Sequence, residues 1–165
     1  MEQTKQAAEA ERLVQTYADM ILRLCYTYLN NTQDAEDICQ ETFLKLLTAP
    51  RTFASREHEK AWVLRTAANA CKDLLKSPRR SRTCSLEVCA DLPTPAAQHS
   101  GVLDAVQSLD TPYRTVLYLH YYEGYSLKEI AQILDIPAAT AGTRLRRGRE
   151  KLKTILEEDS YEICI

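Results

Sequence analysis

The 165-residue chain is short of glycine, with 4, and of phenylalanine, with 2. It has no glycine-rich loop of the kind that cradles a phosphate. Its three histidines, His58, His99 and His120, fall in no metal-ligand or catalytic-triad spacing, which leaves an enzyme reading without a site. No apolar run approaches the ~18 residues that a membrane span needs, so no membrane insertion is expected. The opening "MEQTKQAAEAER" is no signal peptide, and a cytoplasmic protein is expected. Alternating strand patterns and hairpin turns are missing too. No catalytic residue, metal or cofactor is expected.

At 45% hydrophobic and 27% charged, with 6 Pro, the profile is that of a folded soluble protein. Cytosolic cysteines stay reduced, and Cys25, Cys39 and Cys71 fall within helical patterns as small hydrophobes. Cys84 and Cys89 with His99 match no common zinc spacing. The net charge of −2 conceals segregation. Residues 34–41 carry Asp34, Glu36, Asp37 and Glu41 with no base, a local −4. Residues 65–82 carry six cations against Asp73, and residues 137–153 six against Glu150, +5 in each. One acidic contact surface and two anion-binding ones would produce this pattern, although any single run also suits a solvated helix face.

The chain reads as all-α, two small helical domains joined by a flexible linker. Leu13, Tyr17, Met20, Ile21, Leu24 and Tyr28 follow helical spacing to about residue 29, where "NNT" stops the helix. Asp34 is expected to cap the next helix, which runs to about Leu47. A third begins between Ser55 and Glu59 and continues to about Lys76. Residues 77–99 contain three prolines and no sustained period, the composition of a linker. Periodicity resumes with Val102, Val106 and Leu109. Pro112 then opens a helix to Tyr122 that Gly124 closes.

Ser126 with Glu129 forms a capping box at the start of "SLKEIAQILDIPAATAGTRLRRGREKL". Leu127, Ile130, Ala131 and Leu134 make one apolar face before the tight "LDIP" turn. On the second helix Ala141, Leu145, Gly148 and Leu152 recur as a core stripe. Thr140, Arg144, Arg147 and Lys151 form the adjoining face, with Thr143, Arg146, Arg149 and Lys153 around it. Short side chains sit at the end that normally points at base edges, and long cations follow where phosphates would lie. This is a helix-turn-helix.

In the first half, Val63, Ala67, Ala70 and Leu74, beside Leu64, Ala68, Cys71 and Leu75, predict a wide buried stripe on the third helix. Opposite lie Arg65, Asn69, Lys72 and Lys76, with Trp62 at the N-terminal edge. Cations, an amide and an aromatic on one face suit single-stranded nucleic acid, while Trp62 by itself is read first as core.

Three ordered stretches, "DAEDICQETFLKLL", "AWVLRTAANACKDLLK" and "LDTPYRTVLYLHYYEGYSLKEIAQILDIPAATAGTRLRRGREKL", resemble the extracytoplasmic-function (ECF) group of the sigma-70 superfamily. Members are promoter-specificity subunits of bacterial RNA polymerase. The resemblance implies a sigma region 2 helical bundle over residues 8–77, a linker over 78–99 and a region 4 helix-turn-helix over 100–158. It implies that Asp37, Gln40 and Glu41 meet the β′ clamp helices of core RNA polymerase, with Ile38 and Leu47 as apolar support. The loop from Arg51 to Lys60, which includes Ser55, matches the segment that captures a base flipped from the melted −10 strand. Phe53 and Asn69 match its pocket, with Trp62, Arg65, Lys72 and Lys76 on the adjoining helix face. Region 4 would read the −35 element of promoter DNA through Thr140, Thr143, Arg144, Arg146, Arg147, Arg149 and Lys151, and would touch the β flap. An anti-sigma factor is implied as a further partner.

Three positions depart from the family pattern. Gly142 stands where a cation is usual, Ala141 where valine is usual, and Asp135 where glycine is frequent in the turn, a place whose left-handed geometry Asp tolerates. The rival reading is a two-domain helix-turn-helix regulator that acts on duplex DNA without polymerase. Such a protein has no use for the acidic helix or the Trp62–Asn69 face.

Overall fold

The computed structural model describes residues 1–48, 52–77 and 101–163. The chain divides into two compact units, Met1–Ser77 and Pro78–Ile165, and among the described residues there is no strand. The expected linker, with Cys84, Cys89 and His99, lies outside the described residues, as do Arg51 and Cys164.

The first unit is a three-helix bundle of α1 (Glu2–Leu29), α2 (Thr32–Thr48) and α3 (Arg56–Lys76), each packed on the other two. The apolar stripe of α1 is buried as its spacing predicts, with Ile21 and Leu24 wholly enclosed. Asn30 ends α1 in the left-handed conformation at φ 51°, its N–H donating to the Tyr26 carbonyl; asparagine is among the few non-glycine residues that tolerate this. The cap of α2 differs from expectation. Asn31 Oδ1 accepts the Asp34 N–H at 3.0 Å, so Asn31 caps the helix. Asp34 sits inside the first turn, where its charge faces the positive end of the dipole. Ala35, Ile38, Cys39, Thr42 and Leu46 then line the inner face of α2. Cys25, Cys39 and Cys71 are buried thiols, and burial pushes the Cys39 thiol up to about 11.

Ser55 caps α3, accepting the His58 N–H at 3.1 Å. The inner stripe is buried from Val63 to Cys71, but Leu75 is exposed and Leu74 half-buried, so the stripe opens at its end. Trp62 is half-buried at the bundle edge and is not a core residue.

The second unit begins with α4 (Gly101–Ser108) and α5 (Thr111–Leu117). Val102 is exposed, while Ala105 on α4 and Leu109 just after it are buried. The side chain of Arg114 is buried and donates to the carbonyls of Leu109 at 2.8 Å and Gln107 at 3.3 Å. A cation there faces the negative end of α4. The helix expected to run to Tyr122 changes pitch after Leu117: Tyr118–Tyr122 form a single π-helical turn, with Glu123 N–H donating to the Tyr118 carbonyl. Gly124 then reverses the chain at φ 76°.

The helix-turn-helix comprises α6 (Leu127–Leu134) and the first turns of α7 (Ala138–Ile163). Both halves of the Ser126–Glu129 capping box are made, at 3.2 and 2.8 Å. Asp135 adopts the left-handed geometry at φ 54°, ψ 52°. Ala141, Leu145 and Gly148 are buried, packing α7 against α4, α5 and α6. The fit at Gly148 is tight: an added Cβ would lie 3.3 Å from both Tyr113 Cβ and Leu117 Cδ1.

Candidate nucleic-acid and protein interfaces

The outward face of α2 presents Asp37, Gln40 and Glu41, all exposed. Ile38 is buried beneath them, so it supports this face from inside and is not itself open to contact. Leu47 is exposed, and so is Leu44, at 62% the most exposed apolar side chain of the helix. Leu44 was not singled out in the sequence, although its spacing of i+4 from Gln40 puts it on the acidic face. Glu41 pairs with Lys45 at 2.8 Å, and Asp37 accepts from Gln33 at 3.3 Å. Exposed pairs of this sort contribute little and exchange readily for a partner's charges.

On α3, Trp62, Arg65 and Asn69 follow at i, i+3 and i+7 on one face, with Lys72 and Lys76 beyond. Arg65, Asn69 and Lys76 are exposed and Lys72 is half-buried. The preceding loop joins this face through an aromatic cluster. The Phe53 ring lies 5.7 Å from those of both His58 and Trp62. His58 Nδ1 faces the Ala54 N–H at 3.3 Å. The Ser55 oxygen accepts the His58 N–H, which leaves its hydroxyl hydrogen free to donate to a ligand and one lone pair to accept.

Beneath the loop lies a charged network absent from the sequence-level expectations. Glu59, buried in the first turn of α3, accepts two hydrogen bonds from Arg12 at 3.1 Å and one from the Tyr17 hydroxyl at 2.7 Å. Burial pushes the Glu59 carboxyl up, but the bonds from Arg12 and Tyr17 outweigh it and hold the group below its ordinary value. Burial and the neighbouring carboxylate push the Tyr17 phenol up to about 12. Arg12 is also gripped by Glu9, Nε to Oε2 at 2.9 Å, and its two carboxylate partners, Glu9 first, hold it protonated.

The cations of α7 differ in how occupied they are. Arg146 pairs with Glu150 at 3.2 Å, and Lys153 with Glu157 at 3.8 Å. Lys151 lies over the Tyr113 ring, 5.5 Å from its centroid. Arg147 and Arg149 are exposed and Arg144 half-buried, and none of the three has an ion-pair partner among the described residues. A groove runs between the start of α5, at Asp110, Pro112 and Tyr113, and the face bearing Thr140, Thr143, Arg144 and Arg147. Thr143 Oγ1 donates to the Ala139 carbonyl at 3.0 Å, leaving its oxygen as an acceptor. Gly142 is half-buried, and a Cβ there would meet only Leu127 Cδ1, at an ordinary 3.8 Å. The position therefore has room for a Cβ.

Among the described residues no group of three or more His, Cys, Asp and Glu is placed to hold a metal ion. No helix among them is long and apolar enough to cross a membrane.

Comparison with known proteins bears on both units. The profile for Sigma-70 region 2 matches residues 13–81, and that for Sigma-70, region 4 matches residues 100–152. The chain is 32% identical over 164 residues to the ECF RNA polymerase sigma factor SigW of Bacillus subtilis, covering 88% of each. It is 31% identical over 163 residues to the ECF RNA polymerase sigma factor SigE of Mycolicibacterium smegmatis, covering 92% of this chain and 63% of that longer one. Its fold is similar to that of the sigma factor RpoE from Bartonella quintana, solved in complex with the anti-sigma factor NepR, with a TM-score of 0.73 and 20% identity. That match covers 89% of this chain and 96% of the other.

Proposed function

Since the chain belongs to the ECF group of the sigma-70 family, we propose that its surfaces divide the work of promoter-specific initiation as follows. The protein binds core RNA polymerase and directs it to promoters, and it contributes no catalytic chemistry of its own. Region 2, residues 8–77, docks through the acidic face of α2 (Asp37, Gln40, Glu41, with Leu44 and Leu47) on the β′ clamp helices. Complementary charge there sets partner choice and encounter rate.

The Phe53 loop and the α3 face hold the melted −10 strand. Phe53 and Trp62 stack, Asn69 reads an extruded base edge, and Arg65, Lys72 and Lys76 neutralise phosphates, while Ser55 donates a hydrogen bond. Region 4, residues 100–158, places α7 in the major groove of the −35 element. Thr140 and Thr143 face base edges; Arg144, Arg146, Arg147, Arg149 and Lys151 meet the backbone. A β-flap contact and an anti-sigma partner follow from family membership, and the protein works in the cytoplasm with its polymerase. Residues 78–99 link the two regions.

One observation carries this reading: a single chain joins an acidic, solvent-facing α2 to a cationic α3 face and an arginine-bearing helix-turn-helix. The duplex-only regulator leaves the first two unused. Affinity for purified core polymerase, measured beside affinity for promoter duplex, tests it. Tighter binding to core is expected, whereas tight duplex binding without any core affinity would replace the sigma-factor reading with the regulator.

A further inference from the structure

Among the described residues the fold buries two charged side chains, Arg114 and Glu59. Arg114 is accounted for by the helix end that it closes. Glu59 is harder to explain. An acid in a helix's first turn ordinarily stays at the surface, where it already complements the dipole. This one turns inward to meet Arg12, 47 residues earlier, in a two-pronged bond, and Tyr17. Arg12 is half-buried and Glu59 buried; replacing even a fully buried pair by apolar side chains of similar size is often neutral for stability, so stability alone does not explain it. What the guanidinium–carboxylate fork adds is orientation. Here it fixes the first turn of α3 against α1.

The loop just before that turn receives the consequence. Ser55 is capped onto α3, and Phe53 shares one depression with Glu9, Leu13 and Glu59 while its ring meets His58 and Trp62. We infer that Glu59, held by Arg12 and Tyr17, is a positioning residue for recognition of the melted −10 strand, setting the pose in which the Phe53–His58–Trp62 cluster is presented. The inference rests on the assignment of that loop to the −10 strand.

The test uses full-length protein, alone and as holoenzyme with core polymerase. Two variants are made: Arg12→Lys, which keeps the charge but loses the fork, and the double change Arg12→Met with Glu59→Met. Trp62 is the chain's one tryptophan, so its collisional quenching by acrylamide reports on the cluster directly. Both variants are expected to keep the wild-type melting temperature and core affinity. They should show more accessible Trp62 and lose discrimination among single-base −10 variants in open-complex formation. Folded variants that discriminate as wild type does would overturn the inference, and so would a double variant that fails to fold, because the network would then be serving stability. Asn69→Ala is the control for the underlying assignment. If it loses discrimination and the network variants do not, the positioning role alone fails. If it too discriminates normally, the loop assignment falls and takes the inference with it.

Discussion

Replacing Arg147 with alanine should weaken promoter binding to all −35 sequences alike and flatten its salt dependence. Arg147 is exposed and has no ion-pair partner among the described residues, so nothing must be given up when it meets a phosphate. One phosphate contact contributes about 0.9 to the slope of log K against log salt. Between about 50 and 200 mM salt, a fourfold change, the ratio of wild-type to variant affinity should therefore shrink by about 3.5-fold. Arg146→Ala should cost less, because Arg146 must first leave Glu150. An exposed pair of that kind is worth roughly 0.3–0.5 kcal/mol, about a factor of two in affinity. Thr143→Ala should behave differently from either. Its hydroxyl hydrogen is committed to Ala139, so the oxygen can only accept, and the base it reads should carry an amino group in the major groove, adenine or cytosine. Preference at one −35 position should relax by roughly 1–3 kcal/mol if the contact is direct. The assay is equilibrium binding of holoenzyme to labelled promoters carrying each −35 substitution, at four salt concentrations. If Arg147→Ala alters base preference while Thr143→Ala lowers affinity uniformly, the orientation assigned to α7 is reversed.

Glu41→Arg should abolish assembly with core polymerase while leaving the helical circular dichroism intact, since a reversed charge at a complementary interface costs several kcal/mol; co-purification at wild-type yield would remove α2 from the interface. Asn69→Ala should depress open-complex formation on duplex promoters and on templates premelted at −10, because no neighbouring group replaces an amide that reads an extruded base; unchanged transcription on both would make Asn69 structural. Gly148→Val should destabilise region 4 by about 1–3 kcal/mol, the usual range for overpacking, given the 3.3 Å approaches of Tyr113 and Leu117, and thermal melting reads it. For Glu59 the folded carboxyl sits below its ordinary value of 4.5, so its stabilisation is present above that value and lost as pH falls through the folded one. The stability gap between wild type and Glu59→Gln should be widest near neutral pH and close in acid, whereas a pH-independent gap would mean that Glu59 acts by shape alone.

Periodicity and end signals made much of this architecture legible in advance. The α1 stripe, the Ser126–Glu129 box and the left-handed Asp135 each depend on neighbours a few residues away, and each is found. What depends on distant partners was not legible. Glu59 reads locally as a dipole-facing acid, and nothing near it in sequence announces Arg12 across the bundle. Arg114, which no local pattern singles out, is buried against the carbonyls that end α4. Trp62 reads by its hydrophobicity as core, but it is half-buried, with its ring beside that of Phe53. The π turn at Tyr118–Tyr122 keeps Leu119 inside while exposing Tyr121 and Tyr122, a local trade that helical spacing does not reveal. For the interfaces, spacing laid out the faces of α3 and α7, the resemblance alone supplied the residues of α2, and the structure places Asp37 in solvent and Ile38 beside it inside.

The most direct test of the central claim is run-off transcription of fragmented genomic DNA by core polymerase with and without the purified protein, followed by sequencing of the transcript 5′ ends. A small set of start sites should require the protein and share two elements, near −35 and −10, at a fixed spacing. Glu41→Arg should abolish every one of them, and Asn69→Ala should weaken them. Start sites identical to those of core alone, together with protein that binds duplex DNA in the absence of polymerase, would contradict the claim.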